Sequence, residues 1–274
     1  MIWWSRGLVD LALTGYLWAT LQALTELTGR RFTWPVPTRA LLVTAWGLHT
    51  LGLALRTLAL GRPPVGGLHA VLSMIVWAAV LLVLWAERRY ALRALPAFVL
   101  APVALLSLVA AVAPEAAVFA GPGAPGGSGH ALLIVLGLGA LAGNFAGALM
   151  YVLQERALRR HALGGLSRRL PPLGTLDRFS FHALVVGFPF LTLGIVIGTI
   201  SAARAFGPEW LWQPTPVVAL ATWAIYAVAL SLRAGAGWGG RRGAYLALAG
   251  FVAMVTTLSV SLLLPTRHVA LLGP

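Results

Sequence analysis

The feature that most constrains this chain is a series of eight apolar runs separated by short polar stretches. The runs lie at about residues 6–28, 40–60, 67–86, 93–113, 130–153, 179–203, 216–233 and 243–264. Each is close to the roughly 20 apolar residues that an α-helix needs to cross the hydrocarbon core of a bilayer. Only 10% of the residues are charged, whereas a soluble domain carries about 25%. We therefore predict an all-α, polytopic integral membrane bundle of eight transmembrane helices in a lipid bilayer.

The length of the chain limits its domain organisation. Eight spans use most of its 274 residues, so no room remains for a separate soluble domain. We expect a single transmembrane domain over residues 1–274, in which residues 1–113 form a four-span N-terminal part and residues 130–268 form a second four-span part.

The basic residues predict how the bundle is oriented. All 20 are arginines, and the chain has a net charge of +13. They concentrate in alternate loops, namely at Arg30, Arg31 and Arg39, at Arg88, Arg89 and Arg93, at Arg156, Arg159, Arg160, Arg168, Arg169 and Arg178, and at Arg233, Arg241 and Arg242. Because arginine-rich loops stay in the cytoplasm, we predict that both termini lie outside. The same rule explains the positive charge without nucleic acid as a partner.

The stretch Arg204–Tyr226, RAFGPEWLWQPTPVVALATWAIY, is the only place where tryptophans crowd a short polar break. Trp210 and Trp212 lie in the break, and Trp223 lies in the apolar run that follows. Prolines interrupt the helix here, because proline lacks a backbone N–H and clashes with the preceding turn. Two interpretations are open: an interfacial aromatic belt, which tryptophan favours, or a flat aromatic shelf for a planar ligand at the membrane surface.

Histidines are the only side chains that suggest chemistry. His130 begins the fifth span and His268 follows the eighth, so the predicted topology places both at outward helix ends. Neutral imidazole ligates haem iron, and two histidines beside an aromatic shelf match the two axial positions of a flat haem. His49 lies in mid-membrane, where an ionisable residue is a functional candidate by default. We count it among the cofactor-binding candidates, with a histidine that only hydrogen-bonds a neighbouring helix as the alternative.

Three segments of the second half resemble the cytochrome c assembly protein family of membrane haem-handling proteins, of the CcsA, CcmC and ResC type. The first is LMYVLQERAL over Leu149–Leu158, and the second is LDRFSFHALVVGFPFLTLGIVIGTISA over Leu176–Ala202. The third is the tryptophan-rich stretch, which falls where the family has its tryptophan-rich WWD haem platform. The resemblance implies a multi-pass, haem-binding protein of the plasma (inner) membrane of a bacterium.

The resemblance also implies a set of site residues. Two outward-facing histidines flank the platform in the family and ligate haem, and His130 and His268 stand in those places as the axial ligands of the iron. The platform residues carry over to Trp210, Trp212, Pro214, Leu220 and Trp223. The chain departs from the family pattern at Gln213, Thr215, Pro216, Val218 and Ser231. This degenerate WWD motif favours the HemX-like branch of the family.

Together these observations give a functional hypothesis. We expect a protein of cytochrome c biogenesis that presents or delivers haem b at the outer membrane face. It would act with a partner membrane protein of a cytochrome c maturation system and would at most be part of a haem lyase, without catalytic residues of its own. Two alternatives remain open: a HemX-like regulatory or scaffold protein of haem biosynthesis without haem transfer, and the permease component of a transporter.

Overall fold

A computed structural model describes residues 2–29, 35–61, 63–64, 68–112, 127–161 and 164–263. Within these ranges the chain forms eight α-helices and no strand, so the predicted all-α bundle is confirmed. The helices are α1 (Ile2–Thr28), α2 (Thr38–Leu60), α3 (Leu68–Tyr90), α4 (Leu95–Val112), α5 (Gly127–Arg159), α6 (Leu173–Phe206), α7 (Pro214–Gly235) and α8 (Gly240–Leu263). Two short 3₁₀ segments, the basic turn (Gly165–Arg168) and the tryptophan turn (Pro208–Trp212), flank α6.

Six of the eight helices are long and apolar enough to cross a membrane: α2, α3, α5, α6, α7 and α8. The apolar part of α4 within the described residues is shorter, at Leu95–Val109. The first helix has the necessary length, but it carries polar side chains such as Arg6, Asp10 and Gln22. Both α5 and α6 continue several residues beyond the predicted apolar runs, since a helix does not have to end where its apolar sequence ends.

The helices pack in two groups that meet at α5. In the first group α1 contacts α2 and α4, and α3 contacts α4; in the second α5 contacts α6 and α8, and α7 contacts α8. Contacts between α3 and α5 join the two groups. A close approach at Gly139 makes this junction possible, because a β-carbon there would lie 3.0 Å from the Cβ atom of Ala78 on α3. Small residues at helix interfaces commonly allow such an approach in membranes.

Described arginines from three of the arginine-rich loops lie at one end of the bundle, as the sequence predicts. The end of α1, the start of α4 and the basic turn border a common cleft that contains Arg93, Arg168 and Arg169. Arg241 at the start of α8 lies 3.9 Å from the carboxylate of Glu155 near the end of α5. We call this end of the bundle the arginine end. The opposite end, which carries the tryptophan turn and the start of α5, is the tryptophan end.

The arginine asymmetry predicts that the tryptophan end faces outward and the arginine end faces the cytoplasm. The chain contains no cysteine, so single-cysteine variants can be labelled without background. We expect a membrane-impermeant maleimide to label Glu209→Cys in intact cells, because Glu209 is exposed in the tryptophan turn. Arg160→Cys, exposed at the arginine end, should react only after the membrane is opened. Labelling of Arg160→Cys in intact cells would reverse the orientation.

Candidate functional site at the tryptophan end

A cavity of about 120 Å³ opens among α5, α6, α7, α8 and the tryptophan turn. Most of its lining is apolar and comes from leucine, isoleucine, alanine and methionine side chains of the four helices. His130 of α5 and Trp210 of the tryptophan turn lie in the wall, with hydroxyl groups from Thr199, Thr215 and Ser261. An apolar cavity with a few convergent polar groups is the usual form of a ligand site.

His130 is held in one orientation by α6. Its Nδ1 lies 2.7 Å from the carbonyl oxygen of Gly194, and a carbonyl can only accept, so Nδ1 must donate and carry the proton. In the neutral ring Nε2 then holds the lone pair, which is the atom through which imidazole binds a metal. The ring packs against Gly198, where any β-carbon would overlap it. Gly198 on α6 therefore makes room for this histidine.

Threonine hydroxyls add polarity to the cavity wall. Thr215 is buried and lines the cavity, and its Oγ1 has no hydrogen-bond partner within the described part of the chain. By contrast, the hydroxyls of Thr222 and Thr257 lie 2.8 Å apart, and Thr257 also donates to the main chain. A buried polar atom without a partner costs free energy, so the Thr215 hydroxyl offers a hydrogen bond to a bound ligand.

The tryptophans of the predicted shelf point in different directions. Trp210 is only 5% exposed and lines the cavity, whereas Trp212 is 86% exposed. A 3₁₀ segment has three residues per turn, so residues two apart cannot share a face. Trp223 lies on α7, where its Nε1 donates to Thr192 Oγ1 at 3.0 Å and its ring stacks on Phe188. Trp210 therefore lines the cavity, whereas Trp212 and Pro214 are exposed at the surface.

Among the described residues, the cavity wall does not include His49. His268 falls in residues 264–274, outside the described part of the chain. His49 is fully buried in the first helix group. Its Nδ1 lies 3.2 Å from Tyr16 OH on α1, and its Nε2 lies 2.7 Å from Ser73 Oγ on α3. Both ring nitrogens of His49 are therefore used to connect three helices.

A buried polar network at the arginine end was not predicted from the sequence. Arg233, which the sequence suggests is a loop residue, lies in the last turn of α7 with its side chain only 4% exposed. Its Nη2 donates to Asp177 Oδ1 at 2.6 Å, and Gly240 N–H at the start of α8 donates to the same carboxylate oxygen. Asn144 of α5 joins through Ser180 of α6. The sequence signal for this network was Asp177, the acidic residue in the segment LDRFSFHAL.

A model of the family described as cytochrome C assembly protein matches residues 34–268, which is most of the 274-residue chain. The chain belongs to the cytochrome c assembly protein family. The matched region contains all of α2–α8, and the family resemblance suggested by the sequence is confirmed.

Several curated relatives of this cytochrome c assembly family member are named cytochrome c biogenesis protein CcsA. The cytochrome c biogenesis protein CcsA of Crocosphaera subtropica is 39% identical over 113 residues, which are 41% of this chain and 34% of the relative. CcsA of Trichormus variabilis is 43% identical over 97 residues, 35% of this chain and 28% of the relative. CcsA of Picosynechococcus is 44% identical over 90 residues, 32% of this chain and 27% of the relative. The matched segments therefore span about a third of these relatives.

In this family member we expect His49 to stabilise the bundle and not to bind a cofactor. His49→Ala should lower the free energy of unfolding by about 1–2 kcal/mol, because it removes interhelical hydrogen bonds to α1 and α3. Haem content per folded molecule should stay unchanged. Thermal unfolding in detergent together with haem quantification checks both points, with the exposed His161→Ala as control. Loss of haem at unchanged stability would instead make His49 a ligand.

Proposed function

We propose that this chain is a membrane component of cytochrome c biogenesis that binds haem b in the cavity at the tryptophan end. The family and its CcsA relatives, which are named cytochrome c biogenesis proteins, support the process. The observation that carries haem binding is the orientation of His130 beside the cavity. Its Nδ1–H donates to Gly194 O, as ligating histidines usually donate their second nitrogen to a carbonyl or carboxylate.

Several residues of the cavity wall have the chemistry to hold a haem. The cavity volume of about 120 Å³ lies below the roughly 300 Å³ of smaller ligand pockets, so the described residues would enclose only part of the group. His130 would bind the iron through Nε2, and His268 remains the proposed second ligand. Trp210 would pack on the ring, and the Thr215 hydroxyl would hydrogen-bond a polar substituent. When bound, the iron would supply redox and ligand-exchange chemistry.

The direction of the bundle and the departures from the family platform support the proposed biological role. With the arginine end in the cytoplasm, the cavity would open toward the outer face, where haem would be presented to an acceptor. The chain departs from the platform of the family at Gln213, Thr215, Pro216 and Val218. We therefore propose that delivery to apocytochrome requires a partner membrane protein of the maturation system.

Trp210→Ala tests whether the wall of the cavity helps to retain haem. Removal of a buried indole should weaken haem retention by roughly tenfold, since burial of a large apolar side chain is worth about 1.5–3 kcal/mol. Trp212→Ala is the matched control: the same substitution two residues away removes an indole that is 86% exposed and should change retention by less than twofold. The measurement is the haem dissociation rate to excess apomyoglobin in detergent. Equal losses in both variants would contradict the assigned cavity.

A further inference from the structure

A second cleft, distinct from the haem cavity, lies at the arginine end. It is bounded by the end of α1, the start of α4 and the basic turn, and it has a volume of about 330 Å³. Arg93, Arg168 and Arg169 contribute to its walls, and Ala23, Leu27 and Ala94 provide apolar surface. Three arginines from two separate loops thus converge on one partly apolar cleft.

The basic turn is fixed to the bundle through Ser167, and so is Arg169, which follows the turn. Gln154 near the end of α5 donates to the main-chain oxygen of Ser167 at 3.2 Å and accepts from the Ser167 hydroxyl at 3.1 Å. Leu170, just after the turn, is buried in the core of the first helix group. The Arg169 guanidinium donates to the main-chain carbonyl of Glu26, in the last turn of α1, where helix carbonyls lack intrahelical partners.

The charge in the cleft is unbalanced. Among the described residues of its wall, Glu26 is the one acidic residue, and the Glu26 carboxylate already accepts a hydrogen bond from Thr38 Oγ1 at 2.7 Å. Three guanidinium groups against one carboxylate leave the cleft with positive charge. Guanidinium groups present planar pairs of donors that match the oxygen atoms of a phosphate.

We propose that this cleft binds the phosphate of an anionic lipid headgroup. The lipid source is favoured over free phosphate by the apolar surface beside the arginines and by Leu166, a 40% exposed leucine in the basic turn. A headgroup with its attached glycerol and acyl chains matches this combination, whereas free phosphate uses only the charge. Basic pockets between transmembrane helices on the cytoplasmic side commonly bind acidic headgroups.

Binding of short-chain lipids to the purified full chain tests the proposal. The probes are dioctanoyl-phosphatidylglycerol, its zwitterionic phosphatidylcholine counterpart and inorganic phosphate, titrated in a nonionic detergent. The variant Arg93→Gln/Arg168→Gln keeps the anchoring residue Arg169. The matched control, Arg160→Gln/Arg178→Gln, removes the same charge from exposed positions at the same end but outside the cleft wall.

We expect wild type to bind phosphatidylglycerol at least tenfold more tightly than either other probe. The cleft variant should lose roughly tenfold or more in affinity for phosphatidylglycerol, because each arginine near an anionic lipid surface contributes about 1 kcal/mol. The control should lose less than threefold, and Arg93→Lys/Arg168→Lys should bind more tightly than the glutamine variant but less tightly than wild type, because lysine keeps the charge and lacks the paired guanidinium donors. Equal losses in the cleft and control variants would overturn the site, and inorganic phosphate binding as tightly as phosphatidylglycerol would overturn the lipid assignment.

Discussion

Asp177→Ala is expected to destabilise the bundle by about 3 kcal/mol, because it leaves a buried guanidinium without its carboxylate. Arg233 is almost completely buried and donates to Asp177 at both its side chain and its main-chain oxygen. Asp177 itself is 29% exposed, so solvent screens part of the interaction. The value is therefore placed at the lower end of the range for broken buried pairs.

Two further variants test whether the loss of stability comes from the buried ion pair. Asp10→Ala removes an exposed carboxylate 3.6 Å from Arg6 and should cost less than about 1 kcal/mol. Replacement of both Asp177 and Arg233 by leucine should recover part of the lost stability, because no unpaired charge is then left buried. Recovery should stay incomplete, because Gly240 N–H also loses its acceptor. Denaturant unfolding in mild detergent measures all four proteins, and equal stability of Asp177→Ala and Asp10→Ala would contradict the assigned role.

The helices of this protein could be predicted from sequence because their signal is long and local. An apolar run of about 20 residues specifies a transmembrane helix almost without reference to the rest of the chain. The ends were less predictable: α6 begins at Leu173, several residues before its apolar run. Arg233 shows the same limit, since its burial depends on Asp177, 56 residues away, which no local pattern encodes.

The candidate site was predictable in its residue types and less so in its geometry. His130 was predicted because it and His268 fall at outward helix ends beside the tryptophan-rich stretch. Its bond to Gly194 joins residues 64 positions apart and required the packing of α5 on α6. The divergence of Trp210 and Trp212 depends on the 3₁₀ geometry of residues 208–212, which proline content alone does not specify. Thr215 drew notice as a departure from the family pattern, but its place in the cavity wall came only from the structure.

His130→Ala is expected to weaken haem binding more than Trp210→Ala does. Loss of an axial ligand should weaken haem binding by at least about 100-fold, since loss of an outer partner of a metal ligand alone costs about 10–100-fold. Haem that remains bound should change from a low-spin to a high-spin absorption spectrum, because one axial position is open. Added imidazole should restore the low-spin spectrum by entering the vacated position.

His182→Ala is the matched control for this experiment. His182 lies near the arginine end, where its Nδ1 is within hydrogen-bond distance of Tyr90 OH. It is exposed and does not line the cavity, so its loss should leave the haem spectrum unchanged. An unchanged spectrum in His130→Ala, or an equal change in both variants, would remove His130 from the proposed site.

The most direct test of haem binding is the absorption spectrum of the purified wild-type chain titrated with haem b in detergent. Two imidazole ligands should give a saturable Soret band of low-spin type, with about one haem bound per chain at saturation. That band is expected from His130 in the cavity and the proposed His268 ligand. A titration that shows only the spectrum of free haem in detergent at every haem concentration would contradict the account, and would leave a bundle of this family that acts as a scaffold without haem.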